Sequence, residues 1–151
     1  LFKRGLLYLK AGKNAEAAKD FRTVTGYKPD YTEAYYNLAL AEKDANPQQA
    51  VEILSKALFK SPDNRQLLEL RGDIYKSLDK YDEADKDYDR VFRKISDKSV
   101  YPSKLAETAF LRKDYQKALK LINKAIEISP SVNSYHILKA KILKAAGRKA
   151  E

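Results

Sequence analysis

Between positions 64 and 95 the chain alternates two apolar runs with a polar turn. Leu67, Leu68, Ile74, Tyr75 and Leu78 recur at helical spacing, and a turn around Asp79 follows. A second run then carries Tyr81, Ala84, Tyr88, Val91, Phe92 and Ile95. The pattern predicts two short helices whose apolar faces a lone pair cannot bury, whereas stacked copies can. The rest of the chain supplies the copies. Ala17, Ala50, Ala84 and Ala118 are spaced 33, 34 and 34 residues apart, and Phe21, Leu54, Tyr88 and Ile122 keep the same spacing. Val24, Ala57, Val91 and Ala125 form another series, as do Gly5, Ala39, Gly72, Ala106 and Ala140. Pro29, Pro62 and Pro130 are separated by 33 and then 68 residues, and Pro62 and Pro130 lie just past helix ends, where they block continuation.

The pattern predicts helices over 1–11, 14–26, 31–44, 47–60, 64–78, 81–95, 102–112, 115–128 and 132–146. Pro47 fits a helix start and Asn46 an N-cap. Pro102 pushes Tyr101 away from helical angles, so the helix there is expected to start late, after a longer connection. Gly5, Ala39, Gly72, Ala106 and Ala140 are small residues expected at close helix contacts. The repeats fall at about 1–30, 31–63, 64–97 and 98–131, with a partial one at 132–151. Residue 1 already lies inside a helix, and the final RKAE would open a partner helix. The array therefore reads as a segment of a longer protein.

These motifs resemble the tetratricopeptide repeat, a helix–turn–helix of about 34 residues with the pattern W-x2-L-G-x2-Y, A-x3-F and P. The first repeat matches through Gly5, Tyr8, Ala17, Phe21 and Pro29. The second matches through Tyr35, Leu38, Ala39, Ala50, Leu54 and Pro62, with a turn one residue shorter. The third has Gly72, Tyr75, Ala84 and Tyr88, with Leu68 where the family favours Trp. The fourth has Leu105, Ala106, Ala118, Ile122 and Pro130, and Ala140, Leu143 and Gly147 begin a fifth. The resemblance implies an all-α, right-handed superhelical solenoid of antiparallel helix pairs, about four and a half repeats long.

It also implies a non-catalytic protein-interaction scaffold that holds a peptide segment or partner protein in a concave groove lined by the first helix of each repeat. Carried over by position, the groove residues are Tyr36, Asn37, Leu40, Lys43, Glu69, Asp73, Lys76, Lys104, Glu107 and Phe110, flanked by Phe2, Leu6, Leu9, Lys141 and Lys144. Glu69 and Asp73 share one helix face, and Glu107 is expected to join them from the next repeat. Such a surface suits an apolar segment carrying basic residues. Family members that bind chaperone C-terminal tails clamp two carboxylates with Lys, Asn, Asn, Lys and Arg. Here only Asn37 matches: Phe2 and Leu6, then Gln66 and Leu70, stand in the other places, which argues against that ligand.

Composition narrows the chemistry. There is no cysteine and one histidine, His136, so thiolate metal sites, disulfides and most His-dependent catalytic sets lack their raw material. No phosphate-cradling glycine loop is present, so no cofactor is implied. The carboxylates Asp82, Glu83, Asp85, Asp87 and Asp89 lack the central glycine of a calcium loop and read as a solvated helix face. Neither a catalytic centre nor a metal site is expected. No apolar run is long enough to span a bilayer.

The net charge of +9 invites a nucleic-acid reading. Residues 1–62 carry +3, 63–98 carry −1 and 99–151 carry +7, so the middle is acidic. Of the eleven tyrosines, Tyr8, Tyr75, Tyr81, Tyr88 and Tyr115 fall on repeat-core positions rather than on a stacking platform, whereas Tyr36, Tyr101 and Tyr135 have no such place. RNA binding and self-association through exposed array ends remain as alternatives. Composition fixes no compartment.

Overall fold

The computed structural model describes residues 1–93 and 95–147. Among these it contains nine α-helices and no strand. They are α1 (Phe2–Lys10), α2 (Asn14–Tyr27), α3 (Thr32–Glu42), α4 (Pro47–Lys60), α5 (Arg65–Ser77), α6 (Tyr81–Phe92), α7 (Val100–Leu111), α8 (Tyr115–Ile128) and α9 (Asn133–Ala145). The architecture is an all-α solenoid of helix pairs. The chain forms two compact units, Leu1–Lys80 with α1–α5 and Tyr81–Glu151 with α6–α9. Residues 148–151, where a further helix was expected to open, lie outside the described residues.

In the N-terminal unit α2 packs on α1 and α3, and α4 on α3 and α5. Its core joins Ala17, Ala18, Phe21, Leu38 and Ala41. Gly5 lets α1 close on α2: a Cβ there would lie 2.7 Å from Phe21 Cε1. In the C-terminal unit α7 packs on α6 and α8, and α8 on α9. Ala106, Ala109, Ala118, Leu119, Ile122, Ala125 and Ile142 form its core. Ala39, Ala84, Ala106 and Ala118 are fully buried, as the repeat series requires. Ala140 is not: it is exposed, because no helix among the described residues follows α9 to pack on it.

Three turns share one device. Gly12, Asp79 and Lys113 take positive φ values of 72°, 59° and 64° just past a helix end. The next N–H then reaches back five residues: Lys13 to the Tyr8 carbonyl, Lys80 to Tyr75 and Asp114 to Ala109, each at 2.9 Å. This is the left-handed C-terminal cap that satisfies orphan helix carbonyls. Lys113 adopts a conformation that glycine tolerates better. Lys113→Gly is therefore expected to leave the fold intact and raise stability by up to about 1 kcal/mol. Lys113→Val should lower it, and urea midpoints of the two variants check both.

The turn of the second repeat, one residue shorter in the sequence pattern, is built differently. α3 ends at Glu42 rather than at 44, and Asn46 precedes Pro47 but caps nothing with its side chain. Its Nδ2 instead donates to Glu42 Oε2 at 2.7 Å. The Glu42 carboxylate is buried and also accepts from Arg22 of α2 at 2.5 Å. A buried carboxylate needs donors, and this need outweighs the cap.

α7 departs from expectation in the other direction. It starts at Val100, with Pro102 as its third residue. N–H groups of the first turn have no helical partner, so the missing one costs nothing. Asp97 Oδ1 accepts the Ser99 N–H and hydroxyl and shapes the entry. The Tyr101 hydroxyl donates to Asp89 at 2.5 Å, holding the residue before the proline in the helix. α6 ends at Phe92, short of the expected 95, so a long connection does precede α7.

Candidate functional site

Within the N-terminal unit, α3 and α5 lie side by side and leave two adjoining hollows between them. One, of about 550 Å³, is lined by Tyr36, Arg65, Gln66, Glu69, Leu70 and Asp73. The other, of about 350 Å³, is lined by Tyr36, Leu40, Lys43, Asp44, Leu70, Asp73, Ile74 and Ser77. Tyr36, Leu70 and Asp73 border both. The spacing explains the convergence: Tyr36 and Leu40 are one turn apart on α3, as are Glu69 and Asp73 on α5. Arg65 approaches Glu69 along the same helix at 3.6 Å.

Five of the predicted groove residues, Tyr36, Leu40, Lys43, Glu69 and Asp73, thus border this feature. Asn37 is buried, and its Nδ2 donates to the Glu33 carbonyl at 2.8 Å. Lys76 lines neither hollow. Lys104, Glu107 and Phe110 are on α7 in the C-terminal unit. There Lys104 Nζ sits 5.6 Å from the Tyr88 ring centroid, and the Phe110 ring lies 6.1 Å from that of Tyr115. Phe2 packs against Phe21 and Tyr31, Leu9 joins the same core, and Leu6 is exposed. Lys141 and Lys144 are exposed on α9. Sequence reasoning had placed Gln66 and Leu70 only at the positions of an absent clamp. The structure makes them part of the lining.

Other groups that could suggest chemistry have structural roles. His136 is exposed, and its Nε2 donates to the Pro130 carbonyl at 2.7 Å. The carboxylate run of α6 is not simply a solvated face. Asp82 pairs with Arg112 just past the end of α7, Asp85 accepts from the Thr108 hydroxyl of α7 at 2.6 Å, and Asp87 is buried. Because α7 packs on α6, these acids meet its donors. Among the described residues no group of three or more His, Asp or Glu could hold a metal ion, and no helix is long and apolar enough to cross a membrane.

Three carboxylates are held below their usual range. Arg4 does so for Asp20 through two hydrogen bonds of 2.8 and 2.7 Å. Asp97 is lowered by the hydroxyl and N–H of Ser99. Burial pushes Asp89 up, but hydrogen bonds from Tyr101 and Arg93 outweigh it. Burial and Asp89 in turn push Tyr101 up to about 12. Each acid therefore binds its proton less readily in the folded chain than in the unfolded one. The stability they contribute is complete above the unfolded value near 3.8 and is lost as pH falls through the folded values. Urea midpoints should stay level down to about pH 5 and fall below about pH 4. Asp20→Asn should start lower at neutral pH and fall less steeply.

No curated protein gives a significant match to the sequence. Among solved structures, a tetratricopeptide repeat protein from Parabacteroides merdae superimposes with a TM-score of 0.87 at 18% identity, over 97% of this chain and 58% of that one. A crystal structure of MamA gives 0.79 at 18% identity, over 95% and 84% of the two chains. PilF of Pseudomonas aeruginosa gives 0.78 at 21% identity, over 97% and 67%. At such identities the likeness establishes the fold. Family models described as "Tetratricopeptide repeat" match residues 2–44, 66–93 and 104–132. Matches over these three stretches, on a solenoid of helix pairs with small residues at its repeat contacts, place the chain in the tetratricopeptide repeat family, whose members are generally non-catalytic protein-interaction scaffolds.

Proposed function

We propose that the chain binds a peptide segment with apolar and basic side chains in the hollows between α3 and α5. One observation carries this reading: Tyr36, Leu70 and Asp73 border both hollows, so apolar surface and a carboxylate run through them together. Around them Glu69, Asp73 and Asp44 outnumber Arg65 and Lys43 by one negative charge, in a chain of net +9. A preformed surface lowers the ordering cost of binding. An extended or helical segment can set an apolar side chain against Tyr36 and Leu70 and a cation near Glu69 and Asp73. The same carboxylates repel a phosphate backbone, so RNA binding makes the opposite demand on this surface.

Asp73→Lys tests it. Fluorescence anisotropy with a labelled peptide alternating Lys with Leu and Phe should show weaker binding to the variant, by about tenfold. A labelled single-stranded RNA should gain, if it changes at all. Tighter RNA binding alongside an untouched peptide would remove the assignment.

A further inference from the structure

The long connection before α7, which the repeat pattern does not explain, borders a hollow of a different character. Helices α2, α4 and α8 each run 14 residues, but α6 has only 12. Seven residues separate α6 from α7, where four separate α2 from α3 or α8 from α9. In the C-terminal unit this leaves a hollow of about 330 Å³ lined by Phe92 and Arg93 at the end of α6, by Lys98, by Tyr101, Pro102 and Leu105 of α7, and by Leu121, Lys124 and Ile128 of α8. Phe92, Pro102, Leu105, Leu121 and Ile128 make most of its surface apolar. The volume is enough for one or two large side chains.

Its charge is uniform in sign. Arg93, Lys98 and Lys124 stand around it, and no acid lines it. Asp89 offsets one of the three through its pair with Arg93. Lys98 Nζ donates to the Arg93 carbonyl, and Lys124 makes no ion pair among the described residues. The C-terminal ends of α6 and α8 bring about half a negative charge each, and the N-terminus of α7 about half a positive one. The balance stays positive.

We infer that this hollow is a second docking site, for an acidic segment of a partner protein that carries one or two large apolar side chains. It is built largely from the second helices of repeats and from the irregular connection, not from the faces between α3 and α5. Charge complementarity selects the occupant: the apolar floor takes a Leu or Phe side chain, and flanking carboxylates meet Lys98 and Lys124. The site therefore favours the charge opposite to that favoured between α3 and α5. One scaffold could hold two different segments at once.

The probe is a fluorescein-labelled peptide, Asp-Asp-Leu-Phe-Glu-Leu, beside its counterpart with lysine at each acid. The acidic peptide should bind, weaken with added salt and lose about tenfold in affinity in the double variant Lys98→Glu/Lys124→Glu. Ile128→Asp should weaken it similarly, since Ile128 is 44% exposed and its loss leaves the core intact. Circular dichroism of both variants should match the parent. Asp73→Lys in the N-terminal unit should not weaken acidic-peptide binding, which separates this site from the first. Equal binding of both peptides, indifference to the lysine reversals or a loss on Asp73→Lys would each overturn the inference. So would an acidic-peptide signal that tracks self-association of the chain in sedimentation.

Discussion

Truncating Phe21 to alanine is expected to lower stability by about 3–5 kcal/mol. The ring is fully buried, meets Phe2 edge-on at 5.6 Å and packs among Ala17, Ala18, Leu38 and Ala41. It touches three helices, so a cavity there cannot be closed by moving one of them. A domain's whole stability is about 5–15 kcal/mol, so the loss is a large share of it. A double-mutant cycle then isolates the close contact. Gly5→Ala alone should cost about 1–3 kcal/mol, because its Cβ would meet Phe21 Cε1 and Cζ at 2.7 and 2.9 Å. Leucine lacks those distal ring atoms. On a Phe21→Leu background the same substitution should be neutral or mildly stabilising, since alanine is the better helix former. Urea denaturation of the four proteins reads the coupling. Equal effects of Gly5→Ala on both backgrounds would show that the ring does not set the distance between α1 and α2.

Replacing Tyr36 by alanine should reduce affinity for the basic, apolar peptide by about thirtyfold or more. Tyr36 borders both hollows of the N-terminal unit and is only half-buried, so its ring is available to a ligand. A rigid aromatic surface next to carboxylates can hold an apolar side chain or a cation. The fold should tolerate the change, with a stability shift within about 1 kcal/mol, because the ring is not part of the buried core. Anisotropy titration gives the affinity, and a urea melt of the same sample gives the stability. Full affinity in a folded Tyr36→Ala protein would refute the proposed seat of the peptide.

The helices and the core were legible because they rest on periodic residues. Ala17, Phe21, Ala84, Ala118 and Ile122 recur at the repeat spacing and are all buried. Gly5 faces Phe21, while Ala106 shares a core cluster with Ile122, so the partner shrinks as the small residue grows. What escaped was set by single side chains without period. The start of α7 depends on Asp97 and Asp89 accepting from Ser99 and Tyr101, and proline statistics alone point to a later start. Asn46 has the residue type of a cap but serves Glu42 instead.

The candidate site was legible only in part, for a related reason. Position on the first helix of a repeat identified Tyr36, Leu40, Lys43, Glu69 and Asp73, all of which border the hollows. The same rule cannot tell a lining residue from one whose neighbours claim it. Asn37 turns inward to the Glu33 carbonyl, and Phe2 is drawn to Phe21 and Tyr31. The hollow beside Lys124 follows no repeat position, because it depends on where the pattern fails.

The buried Glu42 ties three helices with two side-chain bonds: Arg22 of α2 reaches it from one side and Asn46, at the head of α4, from the other. In most linear arrays the repeats open from the ends, each with its own small free energy. Here the turn of the second repeat cannot open without stranding a buried carboxylate that the first repeat also serves. The first two repeats should consequently exchange their amide hydrogens as one cooperative block, with α2, α3 and α4 sharing a single protection level. Glu42→Gln would uncouple them, so that α2 exchanges faster than α4 in the same molecule.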